Sequence, residues 1–317
     1  MWEQIVNIFP LAIAYTAPLL IIALGGLYSE RSGVVNIGLE GLMGVGAFAT
    51  ALFISSFEKT ALGPHVVWIS LLVSAAAGML LSYLHAFASV SMKADQVISG
   101  TAINMLSLAI TVYLARGITG SSNVQINRFL VKSDVPVLSN IPIIGPLFFG
   151  QAYWTTYVIL AILVLSWFLL YKTKFGLRLR ACGENPHAAD SMGVSVKKMR
   201  YLGVLISGAL AGLGGGIVII TYAKEFSLTT YNGLGFLALA TLIFGKWKPL
   251  GILGAALFFG TATTISNIAA IFPAVRDLPN IILNSFPYVM TLVALVIFSN
   301  QSNGPKAAGE PYDVSKR

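Results

Sequence analysis

Long apolar runs recur along the whole chain and are separated by short polar connections. A helix needs about 20 mostly apolar residues to cross roughly 30 Å of hydrocarbon, so runs of that length predict transmembrane helices. The apolar residues are consecutive, without the strict alternation of a membrane β-barrel, and a helix satisfies its own backbone hydrogen bonds in lipid. We predict about nine spans, with eight or ten as alternatives. The runs lie at 8–28, 35–57, 66–90, 95–116, 153–171, 201–222, 232–245, 249–270 and 281–298.

Two local features qualify this pattern. The run at 232–245 is too short for a straight span, so we expect it to be tilted, broken or extended at its start. In the run at 201–222, the glycines Gly208, Gly212 and Gly216 follow one another at intervals of four residues. Small residues on one helical face let neighbouring helices approach closely, so we expect tight helix packing along this face.

Composition supports a membrane protein and excludes a soluble domain. Hydrophobic residues make up 56% of the 317 and charged residues only 10%, whereas soluble domains carry about 25% charged residues. The mean hydropathy is +0.80. The single cysteine, Cys182, excludes an internal disulfide and a cysteine-based metal site. The three histidines are far apart in the sequence, so we predict no metal site, and the fold class is an all-α, polytopic membrane protein with one transmembrane domain over 1–317.

The distribution of lysine and arginine predicts the orientation. Segment 172–200 is the densest basic stretch of the chain, and short basic connections face the cytoplasm. Counting spans outward places the polar tail, 299–317, in the cytoplasm and the long 117–152 connection outside the cell. The net charge of +8 therefore reflects membrane topology and not nucleic-acid binding.

Segment 172–200 also contains a predicted short helix. Asn185 suits the N-cap position, Pro186 suits the first helical position, and Gly193 suits the C-terminal stop. These signals predict a helix over Pro186–Met192. Such a helix could occupy a groove of a cytoplasmic partner or could simply connect two spans.

Three separated motifs carry a family resemblance. Residues 176–186, Gly-Leu-Arg-Leu-Arg-Ala-Cys-Gly-Glu-Asn-Pro, resemble the coupling segment of ATP-binding cassette (ABC) importer permeases of the branched-chain amino acid, simple sugar and nucleoside superfamily. Segments 30–43 and 95–104 resemble the signatures of its nucleoside, guanosine-type branch. The resemblance runs from about residue 10 to 298.

The resemblance implies a type II-like ABC importer permease in a bacterial plasma membrane. Two permeases, as a heterodimer, would form the pathway, and an extracellular lipoprotein would deliver the nucleoside. Separate ATPase subunits would bind ATP and magnesium and drive alternating access, so this chain would hold no cofactor and would be no enzyme. A simple sugar such as ribose, or a branched-chain amino acid, is the alternative substrate. The residues implied to contact the ATPase are Glu184, Asn185, Pro186, Ala188, Ala189 and Gly193.

Polar residues inside the spans are candidates for the translocation pathway, because such groups are costly in lipid. The candidates are Glu40, Asn104, Asn267 and Asn284. Glu40 could instead pair with Arg31, and Asn104 could bond across helices. An ion-coupled secondary transporter is the alternative from another class, but the spans hold few deep charges of the kind that ion coupling needs. A membrane enzyme is disfavoured because catalytic side chains are not clustered.

Overall fold

The computed structural model describes residues 2–268 and 304–313, together with three helical residues, Ser285, Val289 and Val293. These ranges contain eleven α-helices and one small antiparallel pair of strands. The helices are α1 Trp2–Arg31, α2 Leu39–Phe57, α3 His65–Ala86, α4 Gln96–Thr119, α5 Trp154–Lys172, α6 Lys174–Glu184, α7 Pro186–Ser191, α8 Val196–Val218, α9 Leu228–Tyr231, α10 Leu234–Phe244 and α11 Pro249–Ile268. The strands are β1 Val124–Gln125 and β2 Glu225–Phe226, with Val124 paired to Phe226.

Seven helices of the described residues are long and apolar enough to cross a membrane. The polytopic helical fold is therefore confirmed, whereas the count of about nine stays a prediction. The predicted span at 281–298 lies outside the described residues except for its three helical positions. The seven are Ile8–Arg31, Leu39–Phe57, His65–Ser91, Gln96–Thr119, Trp154–Lys172, Val196–Ala223 and Pro249–Ile268.

The short run at 232–245 is broken. It forms α10, of 11 residues, preceded by the single turn of α9. Asn232 and Gly233 separate the two helices, and Gly233 has a φ of +87°, which glycine adopts at little cost. The expectation of a tilted, broken or extended span is confirmed as a break.

The spans connect two opposite faces of the molecule. One, the α6–α7 face, carries the helices α6 and α7 and the connection between α1 and α2. The other, the β face, carries β1, β2 and the 117–152 connection. The α5 span joins the 117–152 connection to α6, so the two segments predicted on opposite sides of the membrane do lie at opposite ends of a span.

Helices α1, α2 and α8 form the centre of the bundle. Within their most apolar windows, 72% of the residues of α1 and α8 are buried, against 22% in α4. The outward face of α4 exposes large apolar side chains such as Met105 and Tyr113, which suits contact with lipid or another membrane subunit.

Glycines permit the close approach of α8 to its neighbours. A methyl group on Gly212 would overlap the Ser74 carbonyl of α3, and one on Gly215 would overlap the Met43 carbonyl of α2. The predicted packing of the glycine face of α8 is therefore confirmed.

Candidate translocation cavity and coupling surface

A non-helical segment, 32–38, separates α1 from α2. The backbone N–H and C=O groups of this segment lack helical hydrogen bonds and need other partners, because lipid supplies none. The Val35 N–H donates to Oε1 of Gln96 at 2.7 Å, and the Val35 carbonyl lies 3.1 Å from Nε2 of His85. Since a carbonyl only accepts, His85 donates from Nε2. Polar side chains of α3 and α4 thus hold the unwound chain.

Asn104 belongs to the same network. Its Nδ2 donates to the Ile37 carbonyl at 3.0 Å, and its Oδ1 accepts from the Gly41 N–H at 2.7 Å. Both ends of the amide therefore bond to backbone groups across a helix interface. This arrangement is the alternative considered from the sequence, and a contact of Asn104 with substrate stays a prediction.

Glu40 caps the broken helix. Its two carboxylate oxygens accept from the N–H groups of Gly233, at 2.6 Å, and Gly235, at 2.5 Å. These donors are at the start of α10, where free N–H groups and the helix dipole favour a negative charge. Arg31 instead donates to the Trp247 carbonyl and pairs with Glu184, so the proposed pairing of Arg31 with Glu40 is not what the structure has.

A polar cavity of about 540 Å³ lies beside this break, within the size range of small-molecule sites. Two tyrosines, Tyr15 of α1 and Tyr222 of the π turn that follows α8, have ring centroids 4.6 Å apart on its wall. None of the described residues that line the cavity is charged. They are Tyr15, Tyr222, Thr229, Thr230, Asn232, Leu234, Leu237, Thr263, Ser266 and Asn267.

The cavity lies towards the β face. Tyr153, at the end of the 117–152 connection, donates from its hydroxyl to the carbonyl of Thr221, the neighbour of Tyr222. Of the four candidate pathway residues, Asn267 lines the cavity, Glu40 caps the adjoining helix and Asn104 lies at the α2–α4 interface. Asn284 lies outside the described residues. Sequence reasoning missed the tyrosine pair.

The short helix of the α6–α7 face forms as its caps predict. Oδ1 of Asn185 accepts from the Ala188 N–H at 3.0 Å, and Pro186 is the first helical residue. The helix ends at Ser191, one residue before the predicted end, and Gly193 follows with a φ of +78°. The predicted helix is therefore confirmed.

Only part of the predicted coupling set faces outward. Glu184, Asn185, Ala188 and Gly193 are exposed and Pro186 is half-buried. Ala189 is 5% exposed and packs with Cys182 and Val196 in the core of the chain itself. Burial also raises the pKa of the Cys182 thiol to about 11. Ala189 therefore anchors α7 to the bundle, whereas the opposite face of α7 is available to a partner.

The C-terminal segment 304–313 lies across the same face. The Ala307 N–H donates to the Gly183 carbonyl at 2.9 Å, and the Tyr312 ring lies 5.2 Å from the His187 ring. The segment thus contacts both α6 and α7.

A bundle of apolar helices, one of them broken beside a polar cavity whose described lining carries no charge, is typical of membrane transport proteins. The chain belongs to the family described as branched-chain amino acid transport system / permease component, whose model matches residues 9–299. It is a non-enzymatic, multi-pass permease of an ABC importer in a bacterial plasma membrane, and it works with ATPase and substrate-binding partners.

Known relatives cover nearly the whole chain. It is 49% identical to the guanosine ABC transporter permease protein NupQ of Bacillus subtilis over 99% of both chains. It is 40% identical to the nucleoside ABC transporter permease protein NupC of Lactococcus lactis, over 99% of this chain and 100% of NupC. A second guanosine ABC transporter permease protein of Bacillus subtilis, NupP, is 28% identical over 78% of this chain and 70% of NupP.

Proposed function

We propose that this chain is one of two different permease subunits of an ATP-driven nucleoside importer and that the cavity beside the α9–α10 break is its substrate site. The observation that carries the proposal is the chemistry of that cavity: its described lining is polar, carries no charge and includes a tyrosine pair. About nine spans, a type II-like arrangement and alternating access belong to the same proposal.

The absence of charge on the described lining disfavours an amino acid substrate. Transporters of anionic substrates direct the N-terminus of a broken helix at the substrate's negative group. Here the N–H groups of Gly233 and Gly235 at the start of α10 already bond to Glu40. A zwitterion in this cavity would leave both of its charges without a partner among the described lining residues, which is costly. A neutral polar substrate meets no such penalty.

The tyrosine pair favours a nucleoside over a simple sugar. A nucleobase offers a flat π-face that stacks on aromatic rings, and Tyr15 and Tyr222 supply two rings on one wall. The amides of Asn232 and Asn267 and the hydroxyls of Thr230 and other residues can bond to the sugar and base edges. The names of NupQ and NupC support the same class.

Substitution of Tyr222 tests this site in the assembled importer. Loss of one base–aromatic stack costs about 1–3 kcal/mol, so Tyr222→Ala raises the apparent KM for guanosine by about 5- to 150-fold. Tyr222→Phe keeps the ring and leaves the KM close to the parent value. Tyr113→Ala, on the outward face of α4, is the matched control. Equal KM values for Tyr222→Ala and Tyr113→Ala would contradict the assignment.

ATP hydrolysis would drive the permease through contacts between the ATPase and α7. In this proposal the α6–α7 face is cytoplasmic, and Glu184, Asn185, Pro186, Ala188 and Gly193 contact a groove of the ATPase, which binds ATP and magnesium. The outward orientation of most of these residues supports the contact. On the other side, the 117–152 connection would receive an extracellular binding lipoprotein.

A second permease completes the pathway in this proposal. NupQ and NupP are two different Bacillus subtilis permeases named for guanosine, and both are similar to this chain. Their occurrence together supports a heterodimer.

The coupling contact is tested by enlarging the exposed face of α7. Ala188→Trp places a large ring on this face, whereas Ser195→Trp places it on an exposed residue beside α8. We expect Ala188→Trp to abolish both ATP-driven uptake and the substrate-stimulated ATPase activity of the assembled importer. We expect Ser195→Trp to preserve both. Ala188 is preferable to Gly193 for this test because the positive φ of Gly193 strains any larger residue. Preserved uptake in Ala188→Trp would exclude the contact.

A further inference from the structure

A second cavity, of about 510 Å³, lies on the α6–α7 face between the end of α3 and the start of α8. Its wall carries three basic residues, Lys93, Lys197 and Arg200, against one carboxylate, Asp313. Nothing in the proposed transport cycle uses this cluster. The remaining lining residues are Val90, Ser91 and Tyr312.

Arg200 is the unusual member of the cluster. It is 1% exposed, and a buried cation is costly unless it is paired and hydrogen-bonded. Its Nη1 donates to the Glu310 carbonyl at 2.8 Å. Within the described part of the chain, its Nε and Nη2 have no hydrogen-bond partner. Both nitrogens lie beside Gly33, so a permanently charged side chain that lines the cavity keeps two unsatisfied donors.

The charge of this arginine is offset only in part, by the attraction of the Glu310 carboxylate. The Cys182 thiol nearby stays protonated at neutral pH, because burial raises its pKa to about 11. Asp313 pairs with Lys93, with Oδ1 3.0 Å from Nζ, and the exposed side chain of Glu310 does not line the cavity. Three cations against one carboxylate leave the wall positively charged.

The position of the cavity indicates what this charge meets. Lys93 follows the π turn Phe87–Ser91 that ends α3, and Lys197 is on the first turn of the α8 span. The cavity therefore lies at the membrane boundary, on the face that the proposed function assigns to the cytoplasm. Basic pockets between transmembrane helices on that side suit phosphate-bearing lipid headgroups.

We infer that the cavity formed by Lys93, Lys197 and Arg200 is a binding site for a phosphate group, either of an anionic phospholipid or free in the cytoplasm. A guanidinium offers a fork of donors that matches phosphate oxygens, and the two lysines add mobile point charges. Asp313 of the C-terminal segment pairs with Lys93 and therefore competes with the phosphate for this lysine. The segment 304–313, which also contacts α6 and α7, therefore responds to what the cavity binds.

The test uses the complete transporter, purified and delipidated in detergent, and compares Lys197→Gln with Lys198→Gln. Both lysines are exposed neighbours, but only Lys197 lines the cavity. Native mass spectrometry measures the affinity for added phosphatidylglycerol, and titration calorimetry in phosphate-free buffer measures that for inorganic phosphate. A surface lysine contributes about fivefold to binding of an anionic headgroup. We expect Lys197→Gln to weaken binding about fivefold, Lys198→Gln to leave it unchanged, and Asp313→Asn to strengthen it.

A dependence on Lys197 in the phosphatidylglycerol titration identifies the lipid as the source, and a dependence only in the phosphate titration identifies a soluble anion. Equal affinities of the parent, Lys197→Gln and Lys198→Gln in both titrations would overturn the inference. Nucleoside uptake is a separate readout, so failure of this site leaves the proposed substrate cavity untouched.

Discussion

The cap that Glu40 places on α10 leads to a prediction about stability. Its two oxygens accept from two backbone N–H groups, those of Gly233 and Gly235. In Glu40→Gln, the single amide oxygen can accept from one of them, and the NH₂ group faces the other donor. The variant therefore loses one charge-assisted hydrogen bond and leaves one buried N–H without an acceptor.

The number of hydrogen bonds lost sets the size of the destabilisation. A hydrogen bond to a charged group contributes about 1.5–3 kcal/mol, and an unsatisfied buried donor adds a penalty of similar size, so we expect a destabilisation of about 3–6 kcal/mol. For a chain of this size that lowers the unfolding midpoint by roughly 5–10 °C. Heating of the detergent-solubilised protein, followed by fluorescence-detected size-exclusion chromatography, measures the apparent midpoint.

Glu184→Gln is the matched control. It makes the same chemical change at an ion pair with Arg31, where the Glu184 side chain is 46% exposed, and exposed pairs contribute about 0–1 kcal/mol. We expect its midpoint to stay within about 3 °C of the parent. If Glu40→Gln unfolds at the same temperature as Glu184→Gln, the Glu40 carboxylate does not stabilise the break between α9 and α10.

Three further predictions concern packing, thiol reactivity and the unwound segment. Gly215→Ala destabilises by about 1–3 kcal/mol through overlap with α2, whereas Gly254→Ala, which has open space around its Cβ, is neutral or slightly stabilising in the same melting assay. Cys182 has a thiolate fraction at pH 7 about 100-fold below that of an ordinary thiol, because burial raises its pKa from 9.0 to about 11. Maleimide therefore labels it far more slowly than it labels Met192→Cys, and equal rates would contradict its burial. Asn104→Ala leaves two backbone groups without a partner and costs about 2–4 kcal/mol, which a parent-like melting midpoint would disprove.

Features determined by neighbouring residues could be predicted from the sequence. Hydropathy alone located the seven long helices, because each must cover the hydrocarbon with its own apolar side chains. The helix Pro186–Ser191 followed from the cap residue Asn185 and the stop at Gly193. The apolar run at 232–245 is too short for a straight span, so its length alone indicated an irregular span.

Features determined by distant residues could not be predicted in this way. The side chains of Gln96, His85 and Asn104 bond to the backbone of the non-helical segment 32–38, and these partners are 50 or more residues away. The partner of Glu40 is 193 residues away. Sequence reasoning predicted a polar role for Asn267 but not for Tyr222, because a tyrosine in an apolar run resembles an ordinary packing residue.

The most direct test of the proposed function is transport by the complete importer reconstituted in liposomes. The chain, its second permease, the ATPases and the binding protein are combined, and uptake of labelled guanosine, ribose and leucine is measured with and without ATP on the ATPase side. We predict ATP-dependent uptake of guanosine, which excess ribose or leucine does not inhibit. Uptake that ignores ATP and follows an ion gradient, or uptake of leucine in preference to guanosine, would contradict the proposal.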